Sequence, residues 1–133
     1  DWIPKVTSLG HGPWLFVAEG VLYFLTQEEV TTLLNRLVDA FPSGSFLFDA
    51  QSPWFLWFSN LRQPMQNAAM KFSLGNAADL ARDNARLSVR RWVGFGDSPY
   101  YDQSLPRVSR TKRWARRLCP WFRGMFKIVQ VDW

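Results

Sequence analysis

The 133-residue chain has a net charge of +5 and is 47% hydrophobic, with eight Trp and eleven Phe residues. This apolar content excludes a disordered chain, while no uncharged apolar run approaches the roughly 20 residues of a transmembrane helix. The chain also lacks the basic-then-apolar order of a signal peptide, and its single cysteine, Cys119, excludes an intrachain disulfide. The composition therefore predicts a soluble, cytoplasmic protein with one hydrophobic core.

The first predicted unit is a strand, a helix and a second strand. Trp14–Ala18 is a short apolar run, typical of a strand that is buried on both faces. Thr26 is predicted to cap the helix, because Glu29 follows three positions later and completes a capping box. The helix carries apolar residues at helical spacing, namely Val30, Leu33, Leu34, Leu37, Val38 and Phe41. With Ser45–Ala50 as the second buried strand, the order predicts a parallel βαβ unit with a right-handed crossover.

Aromatic residues and prolines make the periodicity less regular downstream, but the order of elements can still be predicted. We expect a helix over Pro53–Arg62, a short helix from Ala77 to about Asn84 with Asn76 as its cap, a strand from Arg86 to Val93, a loop over Gly94–Pro99, a basic helix, and a closing strand over Phe126–Val131. The whole chain then reads β-α-β-α-(short α)-β-α-β.

Both predicted parallel strands end in an acid, Glu19 and Asp49. In open α/β sheets, ligands bind outside the carboxyl ends of the strands, so these side chains are expected to face a crevice rather than the core. The alternative is that both are loop residues that merely end a strand. Gly20 allows a sharp turn, or the close approach of a ligand, immediately after Glu19.

The basic residues are concentrated in the second half, where residues 67–133 hold thirteen of the sixteen Lys and Arg. Their densest cluster, Arg107–Arg117, has the charge to bind nucleic acid or an anionic membrane. On a helix, however, the apolar residues of this segment recur near the 3.6-residue period, which makes the arginines its solvated side. We favour the solvated side and keep nucleic-acid or membrane binding as the alternative.

One stretch resembles a known family. The run FVAEGVLYFL, residues 16–25, is followed by Thr26, two Glu, the apolar helix and the run FLFDA, residues 46–50. Together these resemble the second half of the S-adenosylmethionine-dependent leucine carboxyl methyltransferase and polyketide O-methyltransferase family. The resemblance is specific and is strongest over residues 13–52; beyond Pro53 it rests on element order and scattered aromatic residues.

The resemblance implies the C-terminal half of a class I methyltransferase Rossmann-like sheet. The strands Trp14–Ala18 and Ser45–Ala50 would be strands four and five, the two later strands would be six and seven, and the last would run antiparallel. The resemblance places Glu19 in the S-adenosylmethionine pocket, with Ala18 and Gly20 as backbone neighbours. It places Tyr23 between cofactor and methyl acceptor, and it identifies no catalytic residue.

The whole first half of such a domain is missing from the sequence. No glycine-rich loop follows a strand, and no acid at the end of a second strand is available to hold a ribose. We therefore interpret residues 1–133 as a single partial domain that binds the cofactor poorly alone and forms a homo-oligomer through the exposed edge of Trp14–Ala18. The predicted function is O-methylation of a carboxylate or hydroxyl on a small metabolite such as a polyketide. The alternative is a non-catalytic α/β module that binds a partner through its basic second half.

Other candidate residues carry weaker signals. His11 lies in a Gly/Pro turn, and we expect a plain loop residue rather than a catalytic or metal-binding one; no metal site is predicted. Cys119 is expected to be a small core residue rather than a nucleophile. The aromatic pairs Trp54/Trp57 and Trp121/Phe122 are expected in the core or an interface, with stacking on bases or a flat polyketide as the alternative.

Overall fold

The computed structural model describes residues 2–62, 69–82, 84–94, 97 and 124–133. The described elements follow the predicted order, with a short helix at the start and a 3-10 turn after the first strand in addition. They are α1 (Ile3–Thr7), β1 (Trp14–Ala18), a 3-10 turn (Leu22–Phe24), α2 (Gln27–Ala40), β2 (Gly44–Gln51), α3 (Pro53–Arg62), α4 (Asp79–Arg82), β3 (Ser88–Gly94) and β4 (Phe126–Asp132). The predicted basic helix with Arg107–Arg117, and also Cys119 and Trp121/Phe122, lie outside the described residues.

The four strands of the described residues form one open sheet in the order β1-β2-β4-β3. Strands β1 and β2 are parallel, as the βαβ pattern predicted, with Trp14 opposite Gly44 and Ala18 opposite Phe48. The last strand, β4, runs antiparallel to both of its neighbours, which the family resemblance also implied. The carboxyl ends of β1 and β2 therefore lie beside the start of β4, where Phe126 pairs with Gln51.

Helix α2 begins at the predicted capping box. The Thr26 hydroxyl accepts a hydrogen bond from the backbone N–H of Glu29, whose carboxylate in turn accepts one from the Thr26 N–H. The apolar side of α2 packs on the sheet, where Phe41 contacts Phe16 and Trp14 at ring-centroid distances of 4.8 and 5.3 Å. This face forms the hydrophobic core together with Phe46, Phe48, Val129 and Val131.

The prediction that β1 is buried on both faces is wrong. Its residues alternate, with Trp14, Phe16 and Ala18 partly buried and the side chains between them, Leu15 and Val17, 67% and 64% exposed. Among the described residues, the core that α2 forms with Phe46, Phe48, Val129 and Val131 lies on the other face, so Leu15 and Val17 remain exposed. An apolar surface is left at β1, and the exposed Ile128 of β4 lies on the same face of the sheet.

The predicted helix from Ala77 to about Asn84 is shorter, because its end residues bond elsewhere. Asn76 accepts a hydrogen bond from the Ala78 N–H, as expected of a residue that starts a helix, but α4 covers only Asp79–Arg82. The Asn84 amide donates to Asn35 of α2, and its oxygen accepts from the Arg86 N–H. These two hydrogen bonds hold Asn84 in a turn that leads into β3.

Candidate functional site

A cleft of about 410 Å³ lies at the carboxyl ends of β1 and β2, next to the first residues of β4. This volume falls in the range of small-molecule sites. Most of the wall is apolar and is formed by Val17, Ala18, Leu47, Phe48, Phe126 and Ile128. Its polar groups come from Glu19, Tyr23, Asp49 and Lys127. The cleft therefore occupies the position at which open α/β sheets bind ligands.

Glu19 lies at the rim of this cleft and is exposed, so the chain does not bury its charge. Gly20 follows with a φ of +66°, in the left-handed region that side chains other than glycine rarely adopt. The chain turns sharply there and enters the 3-10 turn at Leu22–Phe24. Ala18, Glu19 and Tyr23 all line the cleft, and Gly20 bonds to one of its acids, so the structure brings the four predicted site residues together.

Asp49 joins the two sides of this turn, and the sequence analysis expected it to face a crevice without assigning it to cofactor or substrate binding. Its Oδ1 accepts a hydrogen bond from the Gly20 N–H at 2.9 Å. Its Oδ2 accepts one from the Tyr23 hydroxyl at 2.6 Å. The available signal was its place at the end of β2, the counterpart of Glu19 after β1. The sequence pattern does not show that Asp49 forms hydrogen bonds with residues 26 and 29 positions away.

Tyr23 is fixed at several points. Its carbonyl accepts hydrogen bonds from the N–H groups of Lys71 and Phe72, and its ring meets that of Phe126 edge-on at 6.5 Å. Burial, the hydrogen bond to Asp49 and the negative charges of Asp49 and Glu19 raise the pKa of Tyr23 far above its ordinary value. The phenol is therefore neutral at physiological pH and cannot act as a base.

Lys127 is a cleft residue that the sequence analysis missed, because a single lysine in a β-branched strand carries no recognisable signal. Its Nζ donates hydrogen bonds to the carbonyls of Leu74 and Gly75, at 3.1 and 2.5 Å. The same ammonium lies 5.6 Å from the centre of the Trp92 ring. Burial lowers the pKa of Lys127.

The remaining candidates lie away from the cleft. His11 is exposed in the loop that precedes β1, whereas the cleft lies at the carboxyl end of this strand. Trp54 and Trp57 are 40% and 64% exposed on α3, so the core interpretation is wrong for them, while an interface role stays a prediction. Trp54 stacks on Phe58 at 5.6 Å.

Two absences hold for the part of the chain that the structure describes. There, no three His, Cys, Asp or Glu side chains converge in a way that could hold a metal ion. No helix in those ranges is long and apolar enough to cross a bilayer. The described residues give the cleft two carboxylates, one neutral phenol and one ammonium that is bonded to main-chain carbonyls. Such a set favours a ligand with a positive charge or hydrogen-bond donors beside flat apolar parts.

Comparison with known proteins gives one sequence match and one structural match of note. The chain is 29% identical over 108 residues to the tetracenomycin polyketide synthesis O-methyltransferase TcmP of Streptomyces glaucescens, a match that covers 80% of this chain and 39% of TcmP. It is also similar to the crystal structure of a DUF574 family protein from Streptomyces avermitilis, with a TM-score of 0.57 and 11% identity over 99% of this chain and 52% of that protein. No family model matches the chain.

The match to TcmP confirms the resemblance to the polyketide O-methyltransferases that the motif indicated. The structural likeness supports a mixed α/β fold with an open four-stranded sheet. The chain spans less than two thirds of the length of either protein. The assignment of its strands as four to seven stays a prediction.

Proposed function

We propose that the chain is the C-terminal half of an S-adenosylmethionine-dependent O-methyltransferase domain. The observation that carries this proposal is the cleft at the carboxyl ends of two parallel strands, formed around the Glu19–Gly20 turn, in a chain similar to TcmP. On this proposal β1 and β2 are strands four and five of the methyltransferase sheet, and β3 and β4 are strands six and seven. The antiparallel direction of β4 supports that numbering.

The cleft residues fit such a cofactor. We assign Ala18, Glu19 and Gly20 to cofactor binding, because the Glu19 carboxylate offers a negative charge beside an apolar wall. S-Adenosylmethionine would supply an electrophilic methyl group on a positively charged sulfonium. A negative charge at the rim favours a cationic ligand, and the apolar walls exclude water that would compete with the methyl acceptor.

Tyr23 is assigned to the acceptor side of the cleft. A small metabolite such as a polyketide would present either a carboxylate, which is already ionised, or a hydroxyl, which needs a base. Tyr23 cannot be that base, because its neutral hydroxyl already donates its proton to Asp49. A carboxylate acceptor needs no base, so methyl transfer to it requires only that its oxygen be aligned behind the methyl group. For a hydroxyl acceptor, Glu19 and Asp49 are the carboxylates that line the cleft.

The exposed side chains of β1 suggest how copies of the chain associate. Leu15 and Val17 form an apolar surface on a strand that pairs, among the described residues, with β2 alone. We propose that this edge mediates homo-oligomer formation. The alternative function, binding through the basic second half, is not favoured by the comparisons, and its cluster Arg107–Arg117 is not among the described residues.

Isothermal titration calorimetry tests the proposal. S-Adenosylmethionine is titrated into the 133-residue chain and into the full gene product from which the chain comes, with S-adenosylhomocysteine as competitor. We expect saturable, competable binding by the gene product and much weaker binding by the chain. Absence of binding by both proteins would refute the methyltransferase assignment. Equal affinity of the two would refute the half-domain interpretation alone.

A further inference from the structure

Asp49 connects two separate parts of the cleft. It lies near the end of β2, and each of its carboxylate oxygens accepts one hydrogen bond from the segment that follows β1. The first comes from the Gly20 N–H, 29 positions away, and the second from the Tyr23 hydroxyl, 26 positions away. Because the two donors engage different oxygens, they fix the carboxylate plane as well as its position.

Both contacts have the geometry of strong hydrogen bonds. The 2.6 Å distance between Tyr23 Oη and Asp49 Oδ2 lies in the range of a hydroxyl bonded to a charged carboxylate. The 2.9 Å bond from Gly20 holds a residue with a φ of +66° at the point where the chain turns away from β1. Asp49 therefore determines the shape of the turn and the direction of the phenol proton together.

We propose that Asp49 is a positioning residue of the cleft, which holds the Gly20 turn and the Tyr23 hydroxyl as one hydrogen-bonded unit and leaves the Tyr23 oxygen as an acceptor toward the ligand. The phenol proton is directed at Asp49, so a ligand group that contacts Tyr23 Oη has to donate, as a hydroxyl or an ammonium does. The identity of that ligand rests on the proposed function, whereas the hydrogen-bonded unit does not.

The ionisation of Tyr23 provides a test that needs no ligand. The chain is labelled with 3-fluorotyrosine, whose hydroxyl is more acidic than that of tyrosine, and each ring is followed by fluorine NMR as the pH is raised. Tyr23→Phe identifies the Tyr23 signal by its loss. Asp49→Asn keeps the size of the side chain but removes its charge. Asp39→Asn removes an exposed charge on α2, outside the cleft, and is the matched control.

We expect the Tyr23 midpoint to fall by about one pH unit in Asp49→Asn, a tenfold change, because a hydrogen bond to a charged group is lost. The midpoint in Asp39→Asn should equal that of the wild type. An unchanged midpoint in Asp49→Asn, or an equal fall in Asp39→Asn, would overturn the inference. If Asp49→Asn does not fold, Asp49→Glu replaces it, since it keeps the charge but displaces the carboxylate by one methylene. A smaller fall is then expected, because only the hydrogen bond is disturbed, and an unchanged midpoint again overturns the inference.

Titration of S-adenosylmethionine into the same variants of the full gene product separates the inference from the proposed function. A shifted Tyr23 midpoint with at least tenfold weaker binding in Asp49→Asn supports both. A shifted midpoint with no binding by any variant refutes the proposed function and upholds the hydrogen-bonded unit. A shifted midpoint with unchanged binding overturns the positioning role, because the unit then has no effect on the ligand.

Discussion

Gly44 and Trp133 exchange both of their backbone hydrogen bonds, and the Trp133 ring fills the space where a side chain of residue 44 would begin. The Gly44 N–H donates to the Trp133 carbonyl at 3.2 Å, and the Trp133 N–H donates back at 3.1 Å. The indole Nε1–H donates to the Phe41 carbonyl at 2.9 Å, which fixes the ring against the end of α2. The Trp133 ring therefore packs directly on the start of β2, and it leaves no room for a side chain at position 44.

We expect Gly44→Ala to destabilise the protein by about 1–3 kcal/mol, the usual cost of overpacking. A Cβ at this position would lie 2.6 Å from Cζ2 of Trp133, and the ring cannot shift without weakening its bond to Phe41. Urea unfolding measures the change. Gly10→Ala is the control, because a Cβ there meets no atom within 4 Å. Equal stability of the two variants would contradict the close packing at Gly44.

The capping box of α2 predicts a second stability effect. Thr26→Ala removes the hydroxyl that accepts from the Glu29 N–H, and we expect a loss of about 1 kcal/mol. Thr32→Ala removes the same hydroxyl from an exposed position inside α2, where it caps nothing. In urea unfolding the Thr32 variant should therefore match the wild type or exceed it. A similar loss in both variants would show that the effect is not one of capping.

The features that the sequence predicted correctly are mostly local. The capping box needs two residues three positions apart, and the βαβ order follows from an apolar helix between two apolar runs. The acids Glu19 and Asp49 at strand ends predicted the place of the cleft, because strand direction determines which ends meet. Tyr23, which only the resemblance singled out, also lines this cleft, and its place between cofactor and methyl acceptor stays a prediction.

Other features depend on contacts that no local pattern contains. The bonds of Asp49 to Gly20 and Tyr23 cross between segments, and Lys127 reaches the carbonyls of Leu74 and Gly75 more than fifty positions away. The exposure of β1 was missed for a related reason. A run of apolar residues shows that both faces of a strand are apolar, but not that both are covered.

Asp132 predicts a pH dependence of stability. Partial burial raises the pKa of Asp132, but hydrogen bonds from Ser45 and Gln130 and the charge of Arg90 outweigh burial and lower it overall. A group whose pKa is lower in the folded state stabilises that state above its unfolded pKa, near 4, and the stabilisation is lost as the pH falls through the folded value. Asp132 therefore contributes stability at neutral pH.

We expect Asp132→Asn to be less stable than the wild type at pH 7 and to approach it as the pH falls below 4. Chemical unfolding at a series of pH values between about 7 and 3 measures the difference in the free energy of unfolding. Ser45→Ala, which removes one of the hydrogen bonds to Asp132, should show a smaller difference with the same trend. A difference that stays constant over the whole range would exclude a titrating role for Asp132.

Glu19 provides the sharpest test of the cofactor assignment. In the full gene product, Glu19→Ala should weaken S-adenosylmethionine binding while the melting temperature stays close to that of the wild type, because the side chain is exposed at the rim of the cleft. Glu28→Ala, an exposed acid on α2, is the matched control and should bind normally. If Glu19→Ala instead lowered the melting temperature strongly at unchanged affinity, Glu19 would be a structural residue.

The apolar surface of β1 predicts association of the 133-residue chain. Leu15 and Val17 are mostly exposed, and in the described part of the chain β1 is bonded to β2 on one side only. A strand edge with free N–H and C=O groups and apolar side chains is a template for pairing with another copy. We therefore expect a dimer or larger oligomer in sedimentation equilibrium at micromolar concentration.

Val17→Lys should shift this association toward monomer, because a charge cannot be buried in such a contact without a large desolvation cost. Leu9→Lys, at a leucine outside the sheet that is more exposed than Val17, should leave the association unchanged. A wild-type monomer with the amides of residues 14–18 protected from exchange would show that β1 is not the interface.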